Sequence, residues 1–123
     1  MSCLFNSLSY FLNYSSNQIR QIICDYLQQN RPLIDGLSTD FILSLDDSNY
    51  INNMRKSSDW GGAIEIQAAC NLWNLKIIIN NISRSRRSRR SRIEFVPITK
   101  NYTYTIELLW TGNHYEPVKN REA

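Results

Sequence analysis

Two residues far apart in the sequence, Cys3 and His114, have the side chains best suited to chemistry. Cys3 begins a segment with helical apolar spacing, and His114 is the only histidine. A cysteine thiol attacks a carbonyl as the thiolate, and both a helix N-terminus and a nearby imidazolium favour that charged form. Such partners meet in the fold rather than along the chain. The pair predicts a cysteine hydrolase, and the alternative is an inert thiol with an unrelated surface imidazole.

The segments that must position these two residues put helices first and strands last. Helical apolar spacing marks five segments, at residues 3–13, 15–30, 38–45, 48–54 and 63–73. Extended patterns mark four more, at residues 76–80, 93–98, 104–110 and 115–118. This order predicts an α+β domain in which helices flank a small, mainly antiparallel sheet.

Length and composition favour one domain covering residues 1–123. The chain is 42% hydrophobic, which suits a single core. No apolar stretch approaches the about 20 residues that a membrane-spanning helix needs, and the N-terminus has no signal-peptide pattern. Three cysteines without metal-ligand spacing suit a reducing compartment and leave Cys24 and Cys70 as core thiols. We therefore expect a cytoplasmic monomer without membrane contact, metal or organic cofactor.

The positive net charge belongs to one Ser/Arg run at residues 83–92. Outside that run the chain has eight basic and eleven acidic side chains, so the remainder is mildly acidic. The arginines of the run are Arg84, Arg86, Arg87, Arg89, Arg90 and Arg92. They are a candidate site for nucleic acid or another acidic partner, although no stacking aromatic residues lie among them. A solvent-exposed hairpin loop is the preferred interpretation.

Three sequence blocks occur in an order that is typical of one enzyme family. They are Cys3-Leu4-Phe5-Asn6-Ser7-Leu8, Trp60-Gly61-Gly62-Ala63-Ile64-Glu65-Ile66 and His114-Tyr115. Tyr50 and Met54, ahead of the tryptophan, fit the same pattern. Together the blocks resemble the ovarian tumour (OTU) deubiquitinases, including their viral branch, over nearly the whole chain. The resemblance implies a papain-like cysteine proteinase fold of the OTU type and cofactor-free hydrolysis of the isopeptide bond at the ubiquitin C-terminus.

The resemblance also implies roles for individual residues. Cys3 would be the nucleophile and His114 the general base and acid. The family often places Asp or Asn two positions after the histidine; this chain has Glu116 there, with Asn113 as the second candidate to orient the imidazole. Only Met1 and Ser2 precede Cys3, so the family's oxyanion loop is nearly absent and reduced activity is expected. A catalytically impaired ubiquitin-binding module and a peptidase or amidase acting on another substrate remain alternatives.

Five residues are candidates for contact with ubiquitin: Trp60, Gly61, Gly62, Trp110 and Tyr115. For the Trp-Gly-Gly block we prefer a structural role, in which glycine permits close packing of a loop on a helix. Trp110 precedes a turn and is a candidate to line the cleft beside His114. Glu65 is expected to satisfy buried polar groups rather than to transfer protons. The small size and the Asn- and Ile-rich composition suggest a viral enzyme in the host cytoplasm.

Overall fold

The computed structural model describes residues 3–34, 39–44, 49–56, 61–81, 91–112 and 114–118. In those ranges the elements are α1 (Cys3–Phe11), α2 (Ser16–Gln28), α3 (Thr39–Ser44), α4 (Tyr50–Arg55), α5 (Ala63–Trp73), β1 (Leu75–Asn81), β2 (Ser91–Phe95), β3 (Tyr104–Trp110) and β4 (Tyr115–Pro117). The predicted α+β class is confirmed. None of the helices described is long and apolar enough to cross a bilayer.

Local signals set the ends of the two longest helices. At the start of α2, the Ser15 hydroxyl accepts the Gln18 N–H while the Gln18 side chain accepts the Ser15 N–H, which is the capping box expected from the sequence. Helix α5 ends at Asn74, whose φ of 54° places it in the left-handed region that asparagine tolerates. The chain therefore turns directly from α5 into β1.

The sheet has the strand order β2-β1-β3-β4. The β1–β2 and β3–β4 pairs are antiparallel, whereas the central β1–β3 pair is parallel, with Ile79 opposite Leu108. A parallel pair needs a long crossover, and here β2 and the segment after it supply the connection. The sheet is mainly antiparallel, as expected, but its centre is parallel.

The second strand lies earlier in the chain than the sequence pattern indicated. It ends at Phe95 instead of continuing to residue 98. Pro97 has no N–H to donate to a ladder, and the Ile98 N–H donates to the Asn71 Oδ1 at 2.7 Å instead. The segment after β2 is thus hydrogen-bonded to α5 rather than to the sheet.

One hydrophobic core joins the helices to the sheet. Its contributors include Leu4, Phe5 and Leu8 of α1 and the inward-facing Ile77 and Leu108 of the two central strands. Cys24 and Cys70 are fully buried in it, as expected. Burial raises the pKa of Cys24 to about 11 and that of Cys70 to about 12, so both thiols are held in their neutral form.

Candidate active site

The first turn of α1 presents Cys3 at the helix N-terminus. The Ser7 hydroxyl donates to the Cys3 carbonyl oxygen at 2.8 Å, which ties this turn together. Cys3 is only 8% exposed, and the cleft between α1 and β4 is where it reaches the surface. The N–H groups of a first helical turn lack intrahelical acceptors, so this position also offers hydrogen-bond donors.

A tight β-hairpin places His114. Strands β3 and β4 are joined through residues 111–114, and the Thr111 N–H donates to the His114 carbonyl oxygen at 3.0 Å. The Thr111 hydroxyl donates to the same oxygen at 3.3 Å. Gly112 has a φ of 107°, which side chains rarely tolerate, so a glycine at the first loop position suits this turn. The backbone of His114 is therefore fixed by the turn.

Glu116, the candidate that the family resemblance gave for orienting the imidazole, lies beside it. His114 directly precedes β4 and Glu116 lies on β4, with a Glu116 carboxylate oxygen (Oε2) 3.8 Å from the His114 Nε2. Both side chains are about half exposed. Asn113, the second candidate for this role, lies outside the described residues.

Cys3, His114 and Glu116 line one cleft of about 460 Å³. The other residues around it are Asn6, Ser7, Ser9, Tyr10, Tyr115 and Pro117. Sequence reasoning did not assign Asn6, Ser7, Ser9, Tyr10 or Pro117 to the site. Helical spacing was a signal for three of them, because Asn6, Ser7 and Tyr10 follow Cys3 by three, four and seven residues and so share its face of α1.

The two aromatic candidates on the hairpin pack against each other. The ring centroids of Trp110 and Tyr115 are 4.7 Å apart, with the rings tilted by 44°. Tyr115 lines the cleft, whereas Trp110 is absent from its lining. Burial, followed by the charges of Cys3 and Glu65, raises the pKa of Tyr115 above its usual value. The Tyr115 hydroxyl is therefore neutral.

Gly61 packs against α1 and Gly62 caps α5, and neither glycine lines the cleft. A Cβ at Gly61 would lie 2.6 Å from the Leu4 Cδ2 and 3.1 Å from the Phe5 Cζ, while a Cβ at Gly62 would meet nothing within 4 Å. Gly62 is the N-cap of α5, and its N–H donates to Glu65. The close backbone approach expected of this block is thus found at Gly61.

Several predicted residues cannot be placed. Trp60, Met1 and Ser2 lie outside the described residues, as does most of the Ser/Arg run. Arg92, the described member of that run, lies on β2, and its Nε is 3.1 Å from a carboxylate oxygen of Glu94. The described residues contain no group of three His, Cys, Asp or Glu side chains that would hold a metal ion.

A thiol at a helix N-terminus, an imidazole and a carboxylate in one cleft are the groups that a papain-like cysteine hydrolase uses. The family model described as OTU-like cysteine protease matches residues 2–115. The chain therefore belongs to the OTU-like cysteine protease family.

Curated proteins similar to this chain carry consistent names. It is 28% identical over 122 residues to ubiquitin thioesterase OTU1 of Drosophila pseudoobscura pseudoobscura, an alignment covering 95% of this chain and 31% of that protein. It is 28% identical over 135 residues to ubiquitin thioesterase otu2 of Schizosaccharomyces pombe, covering 98% and 43%. This chain thus spans less than half the length of either relative.

Solved structures share the fold. The OTU domain in complex with ubiquitin has a TM-score of 0.72 at 24% identity, with 94% of this chain and 62% of that chain covered. The viral OTU domain protease from Dera Ghazi Khan virus has a TM-score of 0.69 at 22% identity, with 94% and 72% covered. The papain-like fold of the OTU type, expected from the sequence blocks, is confirmed.

Proposed function

We propose that this chain is a cysteine deubiquitinase that hydrolyses the isopeptide bond between the ubiquitin C-terminus and a lysine. The observation that carries the proposal is the cleft that holds Cys3, His114 and Glu116 together. Membership of the OTU-like cysteine proteases supports thiol-dependent hydrolysis. The names of the related ubiquitin thioesterases, and the ubiquitin bound to a structural neighbour, support ubiquitin as the substrate.

In the proposed reaction, the Cys3 thiolate attacks the carbonyl carbon of the terminal ubiquitin glycine. The tetrahedral intermediate collapses when the C–N bond breaks and the His114 imidazolium gives its proton to the departing lysine amine. His114 then removes a proton from water, which attacks the thioester and releases the ubiquitin carboxylate. N–H groups of the first turn of α1 are the donors for the oxyanion in both steps.

Glu116 lies near only one nitrogen of the His114 imidazole, which supports different roles for the two ring nitrogens. A carboxylate near Nε2 leaves Nδ1 as the nitrogen that exchanges a proton with the thiol. Glu116 holds the ring in that orientation and stabilises the imidazolium that forms when Cys3 ionises. A glutamate takes the place of the Asp or Asn that is common in the family.

The proposal is tested with a ubiquitin C-terminal fluorogenic substrate and an electrophilic ubiquitin probe. Cys3→Ala is expected to abolish both hydrolysis and probe labelling. Cys24→Ala and Cys70→Ala are matched controls, because these thiols are buried and their pKa values are raised to about 11 and about 12. Both controls should be labelled as fully as the parent chain.

Other outcomes identify the alternatives. Hydrolysis that survives Cys3→Ala contradicts the assignment of the nucleophile. Binding of ubiquitin without labelling indicates an impaired ubiquitin-binding module, and labelling by a different electrophilic peptide but not by the ubiquitin probe indicates another substrate. We further propose a reducing location, the cytoplasm, because the cysteines are free and the thiol must stay reduced. Fractionation of cells that express the tagged chain tests that location.

A further inference from the structure

Two segments contact the first turn of α1, namely α2 and the residues just before α5. In the second of these, the backbone at Gly61 leaves no room for a side chain against Leu4 and Phe5. These two residues directly follow Cys3. A shift of the Gly61 backbone therefore changes how the Leu4 and Phe5 side chains pack, and both residues belong to the turn that carries the thiol.

Glu65 holds the Gly61–Gly62 segment in place through a hydrogen bond to Gly62. Its carboxyl is fully buried, and Oε1 accepts the Gly62 N–H at 2.8 Å. Its Oε2 accepts the hydroxyl of Tyr50, on α4, at 2.6 Å. A single carboxyl group thus connects the N-terminus of α5 to α4, immediately beside the glycine that contacts α1.

Arg20 of α2 supports the same turn through Phe5. Its guanidinium carbon lies 4.4 Å from the centre of the Phe5 ring, a cation–π contact. The guanidinium also donates to the Met54 carbonyl oxygen at 2.7 Å, which ties α2 to the last turn of α4. The Arg20 charge favours the ionised form of Glu65. Phe5 is thereby held by contacts to both Gly61 and Arg20.

We propose that Glu65 is a positioning residue for Cys3, with Tyr50 as its partner. By tying Gly62 to α4, it keeps Gly61 against Leu4 and Phe5 and so fixes the direction in which the thiol enters the cleft toward His114. Glu65 exchanges no proton in the reaction. The inference rests on the proposed role of Cys3 as the nucleophile, and it adds a residue that acts through the helix rather than on the substrate.

The chemistry of the carboxyl defines the variants. Glutamine keeps an oxygen for the Gly62 N–H and offers an amide N–H to the Tyr50 oxygen, so Glu65→Gln should preserve the arrangement. Alanine loses both bonds and leaves the partly buried Gly62 N–H without its acceptor. Tyr50→Phe removes one hydroxyl at nearly constant volume. It loosens α4 from α5 without opening a cavity.

The primary measurement is the rate at which iodoacetamide alkylates Cys3 at neutral pH, followed by mass spectrometry of peptides. Cys24 and Cys70 are buried, with pKa values raised to about 11 and about 12, so the early modification reports Cys3. We expect Glu65→Ala and Tyr50→Phe to slow this reaction about tenfold, and Glu65→Gln to restore it to within about threefold, because small displacements of a reacting group are costly.

Leu33→Ala is the matched control for lost stability. Leu33 is a buried core residue whose carbonyl oxygen accepts from Asn71, in the C-terminal half of α5, away from Gly62. The control should have the same lowered midpoint of thermal unfolding as Glu65→Ala or Tyr50→Phe. If Leu33→Ala is too unstable to match, Leu33→Val is used. The control should keep the parent alkylation rate. In ubiquitin hydrolysis, Glu65→Ala and Tyr50→Phe should lower kcat while KM stays near its parent value.

Alkylation of Cys3 at the parent rate in both Tyr50→Phe and Glu65→Ala overturns the proposal. So does an equal slowing in the stability-matched control. If Glu65→Ala does not fold, Tyr50→Phe and Glu65→Gln decide the question alone. The alkylation assay needs no ubiquitin, so a chain that fails to hydrolyse ubiquitin contradicts the proposed function while this inference is still judged on its own result.

Discussion

The Glu116 carboxylate and the His114 imidazole form a pair that water can reach, since both side chains are about half exposed and Nε2 lies 3.8 Å from Oε2. In a buried triad, the orienting carboxylate acts in a low dielectric and its loss is severe. Exposed ion pairs are weaker because water and salt screen them. The third group of this site should therefore contribute modestly to the rate.

Replacing Glu116 tests that expectation. Glu116→Ala should lower kcat/KM for the fluorogenic ubiquitin substrate by about tenfold, well below the loss seen when a buried triad carboxylate is replaced. Raising the salt concentration should reduce the difference in kcat/KM between the parent chain and Glu116→Ala. A loss smaller than about threefold would transfer the orienting role to Asn113 or leave a Cys/His dyad.

Glu65 makes a separate prediction about pH. Burial raises its pKa above the ordinary value of 4.5, so the folded chain binds this proton more tightly than the unfolded chain does. Stability from this group is fully present below 4.5 and is lost as the pH rises through the raised pKa. Glutamine does not titrate. The free energy of unfolding of Glu65→Gln, relative to that of the parent chain, should therefore increase with pH above 4.5 and then level off.

Urea unfolding of the parent chain and of Glu65→Gln across that pH range measures the difference between their free energies of unfolding. The other carboxyl groups and the histidine are present in both chains, so their contributions cancel in the comparison. A difference that stays constant with pH, or that falls as the pH rises, would contradict a raised pKa for Glu65.

The elements that carry the active site depend on two glycines for different reasons. Gly112 permits the positive φ of the hairpin loop that carries His114, whereas Gly61 permits close contact between a backbone and α1. The first is a demand of local conformation and the second a demand of packing between elements. Substitutions at the two positions should therefore destabilise the protein for different reasons.

At the hairpin, Gly112→Ala should cost about 1–2 kcal/mol of stability, because an L-residue is strained at positive φ. It should also lower kcat, since the turn fixes the backbone of His114. Gly112→Asn is the matched control, because asparagine tolerates this region better. Chemical unfolding and steady-state kinetics on the two variants provide the comparison, and equal effects from alanine and asparagine would argue against conformational strain.

At the helix contact, neighbouring glycines provide an internal control. Gly61→Ser places a Cβ 2.6 Å from the Leu4 Cδ2 and should cost about 1–3 kcal/mol through overpacking. Gly62→Ser adds the same atoms where nothing lies within 4 Å. Because serine is a good N-cap residue, that change should alter stability by less than about 0.5 kcal/mol. Thermal unfolding of the pair measures this contrast, and equal losses would show that Gly61 is not specially crowded.

For the whole molecule, the uneven distribution of charge separates the proposed function from its nucleic-acid alternative. The Ser/Arg run gives the chain its net charge of +3, and the remainder is acidic. Strand β1 precedes the run and β2 begins at its last two residues, and the two strands pair in register as far as Asn81 and Ser91. The pairing of β1 and β2 therefore does not require the arginines of the intervening segment.

Replacing the five arginines of the run that precede β2 (Arg84, Arg86, Arg87, Arg89 and Arg90) by serine should leave ubiquitin hydrolysis and the midpoint of thermal unfolding unchanged. The parent chain with its native run is the control for a binding titration against single-stranded RNA at two salt concentrations. Tight, salt-sensitive binding that disappears with the arginines would favour the nucleic-acid alternative. A loss of hydrolysis would instead assign the run to the substrate site.

Most of the fold was predictable because its signals are local. Apolar spacing and turn residues marked every helix and strand, and α5 and β3 have the bounds that the pattern indicated. The nucleophile and base candidates followed from residue types, and the orienting candidate Glu116 followed from the resemblance to the family, because a motif fixes residue types at set positions.

Only the tertiary structure decided how those pieces meet. The sequence alone determined an α+β chain with Cys3 at a helix start and His114 beside a late strand, because periodicity and capping depend on near neighbours. The parallel β1–β3 pairing, the contact of Gly61 with α1 and the double hydrogen bonding of Glu65 join segments distant in sequence. Such contacts depend on how whole elements pack against one another, and no local sequence pattern specifies that packing.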